Sequence, residues 1–271
     1  MGRMAVSEGT GIVRMQLNQE KLSVSIVIPA LNEAKNLYHF LPSIPASVGE
    51  IILIDGHSTD NTIAVAQDLR PDIRIIRQVG KGKGDAMRAG FAASTQDVIV
   101  MLDSDGSADP VEIPRFVEAL AHGHDFAKGS RFIKGGGSSD ITFLRRIGNY
   151  TLCGLVNLLF REKFSDLCYG YNAFRRDCLD RIVLDCTGFE IEAQLCLRVQ
   201  KAGLKIVEVP SVESRRIHGQ SNLHTFRDGW RVLKVILHEW RNRPVRKHTI
   251  EREQELPAYQ EAKTPEKVSV K

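Results

Sequence analysis

Val98-Ile-Val-Met-Leu102 is followed at once by Asp103-Ser-Asp105, five apolar residues running into two carboxylates one residue apart. A short unbroken apolar run predicts a strand buried on both faces, the kind that parallel sheets with helices on either side are made of. In open α/β sheets ligands bind outside the carboxyl ends of the strands, and the acidic pair falls at such an end. Asp and Ser are also ordinary turn residues, so in isolation Asp103-Ser-Asp105 reads as a solvated turn. Its position after the strand, and the elements around it, reverse that reading.

Outward from this stretch, strands and helices alternate. Val24-Ser-Ile-Val-Ile-Pro29 predicts a strand entering a loop at proline, and 32–41 a helix capped by Asn32 with Glu33 in its first turn. Ile51-Ile-Leu-Ile-Asp55 predicts a second strand, Ser58-Thr-Asp-Asn-Thr62 the cap of a helix to 69, and 73–78 a third strand. Gly80-Lys-Gly-Lys-Gly84 leads into a helix to 93. Beyond the acidic pair the pattern predicts helices over 143–160, 190–201 and 226–241, a loop and strand over 166–177, and a strand over 205–209. Such alternation means an α/β fold with a mostly parallel sheet flanked by helices. The expected organisation is a flexible arm at 1–22, one domain at 23–225, an amphipathic basic helix at 226–243 and a disordered tail at 244–271.

Composition narrows the class. The chain has 271 residues, 42% hydrophobic and 26% charged. No apolar run reaches the roughly 18–20 residues that span a bilayer, and the first residues lack a signal-type apolar stretch. The five cysteines carry no CxxC spacing, which argues against zinc and a disulfide framework. The expected location is cytoplasmic. The net charge of +4 is uneven, because 226–248 holds seven Lys or Arg against two acidic residues. In the helix there, Trp230, Leu233, Ile236, Leu237 and Trp240 form an apolar face beside a basic stripe of Arg227, Arg231, Lys234, His238 and Arg241. That suits an anionic membrane surface, or a helix packed on the body. No nucleic-acid-binding fold accompanies the basic residues.

The carboxyl-end residues carry a chemistry. Two carboxylates at a strand end can present oxygens to one hard divalent cation, whose shell phosphate oxygens complete. Pro29-Ala-Leu-Asn-Glu33 and Asp55-Gly-His-Ser58 can flank a nucleoside, with Asp55 accepting from a base N–H. Lys81 and Lys83 supply charge for phosphate in a glycine loop that lacks P-loop spacing.

In this order these motifs resemble glycosyltransferase family 2. Further residues extend the likeness: Asp60, Gly129-Ser-Arg-Phe132, Arg145-Arg-Ile-Gly-Asn149, Gly170-Tyr-Asn-Ala-Phe174, Phe189-Glu-Ile-Glu192 and Arg216-Ile-His-Gly-Gln-Ser221. They are most similar to the dolichol-phosphate mannosyltransferase and polyprenyl-phosphate glycosyltransferase branch. The resemblance implies the GT-A nucleotide-diphospho-sugar transferase fold over 23–225. It implies that Pro29, Asn32, Glu33, Asp55, Lys83, Asp103 and Ser104 hold a nucleotide-sugar donor. Asp103 and Asp105 would bind Mg2+ or Mn2+, Arg131 would meet phosphate near the reaction centre, and Arg145, Arg146, Arg216 and Ser221 would hold an acceptor phosphate. The chain departs from the pattern at Leu31, where an aromatic is common, at His57, and at Asn222, where lysine is frequent.

The implied reaction is inverting transfer of a hexose from GDP-mannose or UDP-glucose to a polyprenyl or dolichyl phosphate, on the cytosolic face of a membrane. A phosphate monoester has a second pKa of about 6, so this nucleophile is charged at neutral pH and needs positioning more than a base. Arginine forks suit it, and an Arg145-Arg146 pair opposing the dipole of its own helix invites a phosphate. A sugar-hydroxyl acceptor would instead call for a carboxylate base, for which Asp166 is the candidate. Asp166 reads equally as a structural turn residue. Glu190 and Glu192 could line the acceptor side. A silent nucleotide-sugar binder is a third reading, opposed by the intact Asp103, Asp105 and Arg131.

Overall fold

A computed structural model describes residues 22–242. The expected arm at 1–22, except its last residue, and the expected tail at 244–271 lie outside the described residues.

Seven strands form the central sheet. In chain order the elements are β1 (Val24–Ala30), α1 (Ala34–Phe40), β2 (Glu50–Asp55), α2 (Thr62–Leu69), β3 (Arg74–Arg77), α3 (Lys83–Ala93), β4 (Val98–Met101), α4 (Ile113–Ala121) and β5 (Phe126–Ser130). They continue with β6 (Gly137–Ser138), α5 (Phe143–Phe160), β7 (Asn172–Arg175), α6 (Ile191–Lys201), β8 (Ile206–Pro210), β9 (Val212–Glu213) and α7 (Thr225–Arg241). The sheet order is β3-β2-β1-β4-β7-β5-β8, with β7 antiparallel to both neighbours and every other pairing parallel. β6 and β9 form a separate two-stranded ribbon.

Side chains alternate across the strands, so the sheet has two cores. Val27, Ile52, Ile54, Ile99 and Met101 pack under α3, α5, α6 and α7, while Ile26, Ile28, Leu53, Val98 and Val100 pack under α1, α2 and α4. From β1 the chain steps outward to β2 and β3 on one side, then returns to place β4 on the other. The carboxyl ends of β1 and β4 therefore part at a topological switch point, where a crevice opens.

Several expectations shift. The pattern assigned nothing to 106–128, yet α4 and most of β5 lie there. Phe126-Ala-Lys-Gly-Ser130 contains no β-branched residue, although all five are buried. Asn32 does not cap α1: it sits in the left-handed region at φ 58°, and its Oδ1 accepts from Thr59 N at 2.7 Å. Ser58 Oγ accepts from Asn32 N at 2.9 Å, and Thr62 Oγ1 from Glu33 N at 2.9 Å. Asp60 Oδ2 accepts from Ala34 N at 3.2 Å, so the loops after β1 and β2 are zipped together and satisfy the orphan donors of α1 across the gap.

Helix α7 is also divided differently from its sequence pattern. Val232 and Ile236 enter the core, and buried Glu239 pairs with Arg198 at 2.8 Å and Lys201 at 2.7 Å on α6. Ile236, part of the apolar face expected either on a membrane or on the body, thus packs on the body. Phe226, Trp230 and Trp240 remain 80%, 58% and 51% exposed. Beside it, α5 exposes Phe143, Ile147, Tyr150 and Leu158 along one helical face.

Candidate active site

A cavity of about 960 Å3 opens at the carboxyl ends of β1, β2 and β4 and runs on between α5 and α7. Pro29, Glu33, Lys83, Asp103, Ser104, Asp105, Arg131, Arg145, Arg216 and Ser221 line it.

Asp55, unlike its neighbours Gly56 and His57, does not line the cavity and is fully buried behind them. Its Oδ1 accepts from Ser58 N at 3.1 Å, whereas its Oδ2 accepts no hydrogen bond and has only Arg77 Nε at 3.9 Å. A buried carboxylate oxygen without a donor keeps its capacity to accept a hydrogen bond. Ser104 Oγ donates to Pro29 O at 2.8 Å, so its side chain ties β4 to β1.

Lys83 stands at the start of α3 between Asp103 and Glu192, with Nζ 2.6 Å from a carboxylate oxygen of each. Burial disfavours its charge, but the two carboxylates outweigh that and raise its pKa. Gly170 makes room for this cluster: a Cβ there would lie 2.8–2.9 Å from Asp103 Oδ2, Glu192 Oε1 and Lys83 Nζ. Asp105 is held by Arg216 Nη2 at 3.0 Å, and Arg216 Nη1 donates to Glu33 Oε1 at 2.8 Å. The other oxygen of Glu33 accepts from Asn36 Nδ2. Glu33, expected beside the nucleoside, is thus engaged with the loop that carries Arg216.

Four carboxylates, of Glu33, Asp103, Asp105 and Glu192, face two cations, Lys83 and Arg216, and since burial raises the pKa of Glu192 the cluster holds a formal excess of one to two negative charges. An anionic diphosphate entering here needs that excess neutralised. A divalent cation matches the deficit, and Asp103 and Asp105 supply the one or two carboxylates that Mg2+ uses when phosphates complete its shell. The residues fit such an ion. Among the described residues, no group of three or more His, Cys, Asp or Glu converges as a ready-made metal cage.

Arg131 forms the second cluster. Its Nε donates to Asp166 Oδ2 at 2.7 Å, its Nη2 to Asp166 Oδ1 at 3.0 Å, and its Nη1 to Glu213 Oε2 at 3.0 Å. The guanidinium lies 4.7 Å from the Tyr169 ring centroid. Burial opposes its charge, but the hydrogen bonds and charge of Asp166 and Glu213 raise its pKa. Asp166 is 0% exposed, and although burial works against its charge, Arg131 and Lys128 hold its pKa below the ordinary carboxylate range. With both oxygens taken and no open face, Asp166 has the setting of an orienting carboxylate. The expected base for a hydroxyl acceptor lacks the access that role requires.

The arginine pair at the start of α5 splits. Arg145 faces the cavity, donating to Leu223 O at 3.1 Å and Thr225 Oγ1 at 3.4 Å. Arg146 is exposed, stacks 5.5 Å from the Phe132 ring centroid and does not line the cavity. Ser221 does line it, its Oγ accepting from Leu223 N at 3.2 Å. Between α5 and α7 the walls carry apolar Leu152 and Val232 beside polar Asn149, Thr225 and Asp228, while Phe189 lies at the Lys83 cluster, its ring centroid 5.7 Å from Lys83 Nζ.

Two site residues, Lys128 and Glu213, escaped the sequence reading, and Gly170, quoted there only within a motif, had no role assigned. Lys128 Nζ donates to Tyr169 O at 2.9 Å and Gly129 O at 3.0 Å, from a wholly buried position in β5. Glu213 comes to Arg131 from β9, and Gly170 underlies the Lys83 cluster. Neither Lys128 nor Glu213 carries a local signal, because each acts on residues distant in the chain.

Known proteins align with this picture. The profile of the family described as Glycosyl transferase family 2 matches residues 25–183. The chain is 30% identical over 229 residues to the dolichol-phosphate mannosyltransferase of Pyrococcus furiosus, covering 81% of this chain and 63% of that one. It therefore spans somewhat less than two thirds of that relative. It is 31% identical over 216 residues to the polyprenol monophosphomannose synthase of Mycolicibacterium smegmatis, covering 73% of this chain and 80% of that one. Among solved structures, glucosyl-3-phosphoglycerate synthase of Mycobacterium tuberculosis superposes with a TM-score of 0.62 at 24% identity, over 80% of each chain. That structure was solved in complex with Mn2+, UDP and glucosyl-3-phosphoglycerate.

Proposed function

This chain belongs to glycosyl transferase family 2 and has the GT-A fold, and on that premise we propose that it transfers a hexose from a nucleotide-diphosphate sugar to a polyprenyl phosphate. The observation that carries this reading is the cavity itself. One part has the acidic pair, with the orphaned oxygen of buried Asp55 behind the wall at Gly56 and His57, a second has Arg131, Arg145 and Arg216, and a third, between α5 and α7, adds the apolar Leu152 and Val232 beside Asn149 and Asp228. A donor, an acceptor phosphate and a prenyl chain call for those three environments in that order.

In this reading Asp55 accepts from the nucleobase, and Lys83 with Asp103 and Asp105 fixes the donor diphosphate. A divalent cation on Asp103 and Asp105, Mg2+ or Mn2+, would supply Lewis-acid neutralisation of the departing diphosphate. Arg131, oriented by Asp166 and Glu213, meets phosphate charge at the reaction centre. Arg145, Arg216 and Ser221 hold the acceptor phosphate, whose oxygen attacks the anomeric carbon from the face opposite the leaving group. No base is needed for a nucleophile already ionised. Arg146, outside the cavity, contributes to the approach of the anionic headgroup. The exposed aromatic residues of α5 and α7, with the basic stripe of α7, seat the enzyme on an anionic membrane surface. Among the described residues no helix is long and apolar enough to cross a membrane.

The deciding experiment incubates the purified protein with GDP-mannose, UDP-glucose and other nucleotide sugars, with radiolabelled polyprenyl phosphate, with and without Mn2+. The reading predicts a glycolipid that forms only with metal. Product with sugar-hydroxyl acceptors alone would overturn it.

A further inference from the structure

Both carboxylates of the acidic pair are already paired with protein cations, and the two cations are held very differently. Lys83, its side chain 10% exposed, stands in the first turn of α3 between Asp103 and Glu192. That turn is pinned from outside, because Gly84 N donates to Thr187 O at 2.8 Å. Arg216 belongs to the stretch 214–224, which has neither helix nor strand. Several points tether this stretch, among them Arg215 Nε on Ser139 O at 3.2 Å and Arg145 Nη2 on Leu223 O at 3.1 Å. Ser214 N donates to Ser107 O at 2.8 Å, His218 exchanges hydrogen bonds with the side chain of Asn36, and Arg216 bridges Asp105 and Glu33. Beyond His218 the chain through Asn222 is exposed and lines the cavity at Gly219 and Ser221.

Resting on the transfer reading above, we infer that Arg216 is a displaceable internal counter-ion: it occupies the cation's place on Asp105, and arrival of the cation releases it to the acceptor phosphate. A divalent cation on Asp105 neutralises one of the two charges that hold Arg216 and repels the guanidinium at contact distance. Glu33 remains as the pivot, itself fixed by Asn36. The released fork then lies in the same cavity as Arg145 and Ser221. Lys83 does not follow, because Glu192 still holds it.

This exchange sets an order and a coupling. The cation-loaded donor site frees Arg216, so acceptor phosphate binds better after the cation than before it. By linkage the acceptor phosphate strengthens cation binding to the same degree. Glu33 thereby becomes a positioning residue that acts through Arg216.

The test titrates Mn2+ into the full chain without donor and reads free ion by electron paramagnetic resonance. Arg216→Gln and Arg216→Met remove the competitor, and each is expected to bind Mn2+ on the order of tenfold tighter than wild type while losing transfer. Arg216→Lys, which keeps a charge, is expected to retain the weaker wild-type affinity. Asp105→Asn is expected to bind poorly in any background. Prenyl phosphate should tighten Mn2+ binding to wild type and leave both neutral variants unmoved. Folded Gln and Met variants with unchanged or weaker Mn2+ affinity would overturn the exchange. If the transfer reading alone is wrong, the Mn2+ tightening persists while no prenyl phosphate is glycosylated in any variant.

Discussion

Arg131 and Asp166 meet as a two-bonded fork, Nε to Oδ2 at 2.7 Å and Nη2 to Oδ1 at 3.0 Å, with side-chain exposures of 7% and 0%. An ion pair this buried fixes geometry more than it adds stability, and breaking it from one side leaves an uncompensated charge. Tyr169 beneath the guanidinium and Glu213 at its free edge complete the mounting.

Asp166→Asn keeps the shape and removes the charge. Transfer is expected to fall on the order of 100-fold from a displaced Arg131, whatever the acceptor, with donor affinity little changed. Asp166→Ala should also lower the urea-derived stability by about 3–5 kcal/mol. Selective loss with hydroxyl acceptors, and none with phosphate acceptors, would restore Asp166 as a base.

The same carboxylate gives an acid signature. Its folded pKa lies below the unfolded value of about 3.9, so its contribution to stability is present above that value and is lost as pH falls through the folded value. Urea midpoints measured from neutral pH down toward pH 2 should fall less steeply in Asp166→Asn than in wild type. Equal slopes would show that Asp166 does not contribute.

Gly170→Ala tests the packing of the Lys83 cluster. The added methyl meets three charged groups at 2.8–2.9 Å and must push them apart. Mn2+ affinity and transfer rate should both fall, because Asp103 is displaced with its partners; a variant with wild-type values of both would show that the cluster is free to rearrange.

The outer faces of α5 and α7 predict a membrane partner. Trp230→Ala with Trp240→Ala should weaken binding to anionic vesicles at least tenfold, since each buried aromatic contributes about 1.5–3 kcal/mol. Added salt should weaken the wild-type interaction through Arg227, Lys234 and Arg241. Nucleotide-sugar binding should survive, because neither tryptophan lines the cavity. Vesicle binding that ignores both changes would remove α7 from the interface.

Much of the fold was legible in advance where a local pattern has one physical meaning. Val98–Met101 is a buried strand as its unbroken apolar run implies, and Phe143–Phe160 is a helix over the range its periodicity predicts. β5 was not legible, because Phe126-Ala-Lys-Gly-Ser130 is strand-like only through its neighbours. Lys128 there looks like a surface residue until the carbonyls of Gly129 and Tyr169 receive its ammonium.

By itself, the sequence determined where the candidate residues fall: Asp103 and Asp105 at a strand end, Asp55 at another, and arginines downstream. Hydrophobic periodicity and strand-end placement are local properties, readable in one dimension. Only the tertiary structure decided how those residues are engaged. It sent Arg145 into the cavity and Arg146 out of it, gave both oxygens of Asp166 to Arg131, and set Arg216 on Asp105 and Glu33. Charge pairing depends on distance in space, and Arg216 and Glu33 lie 183 positions apart in the chain.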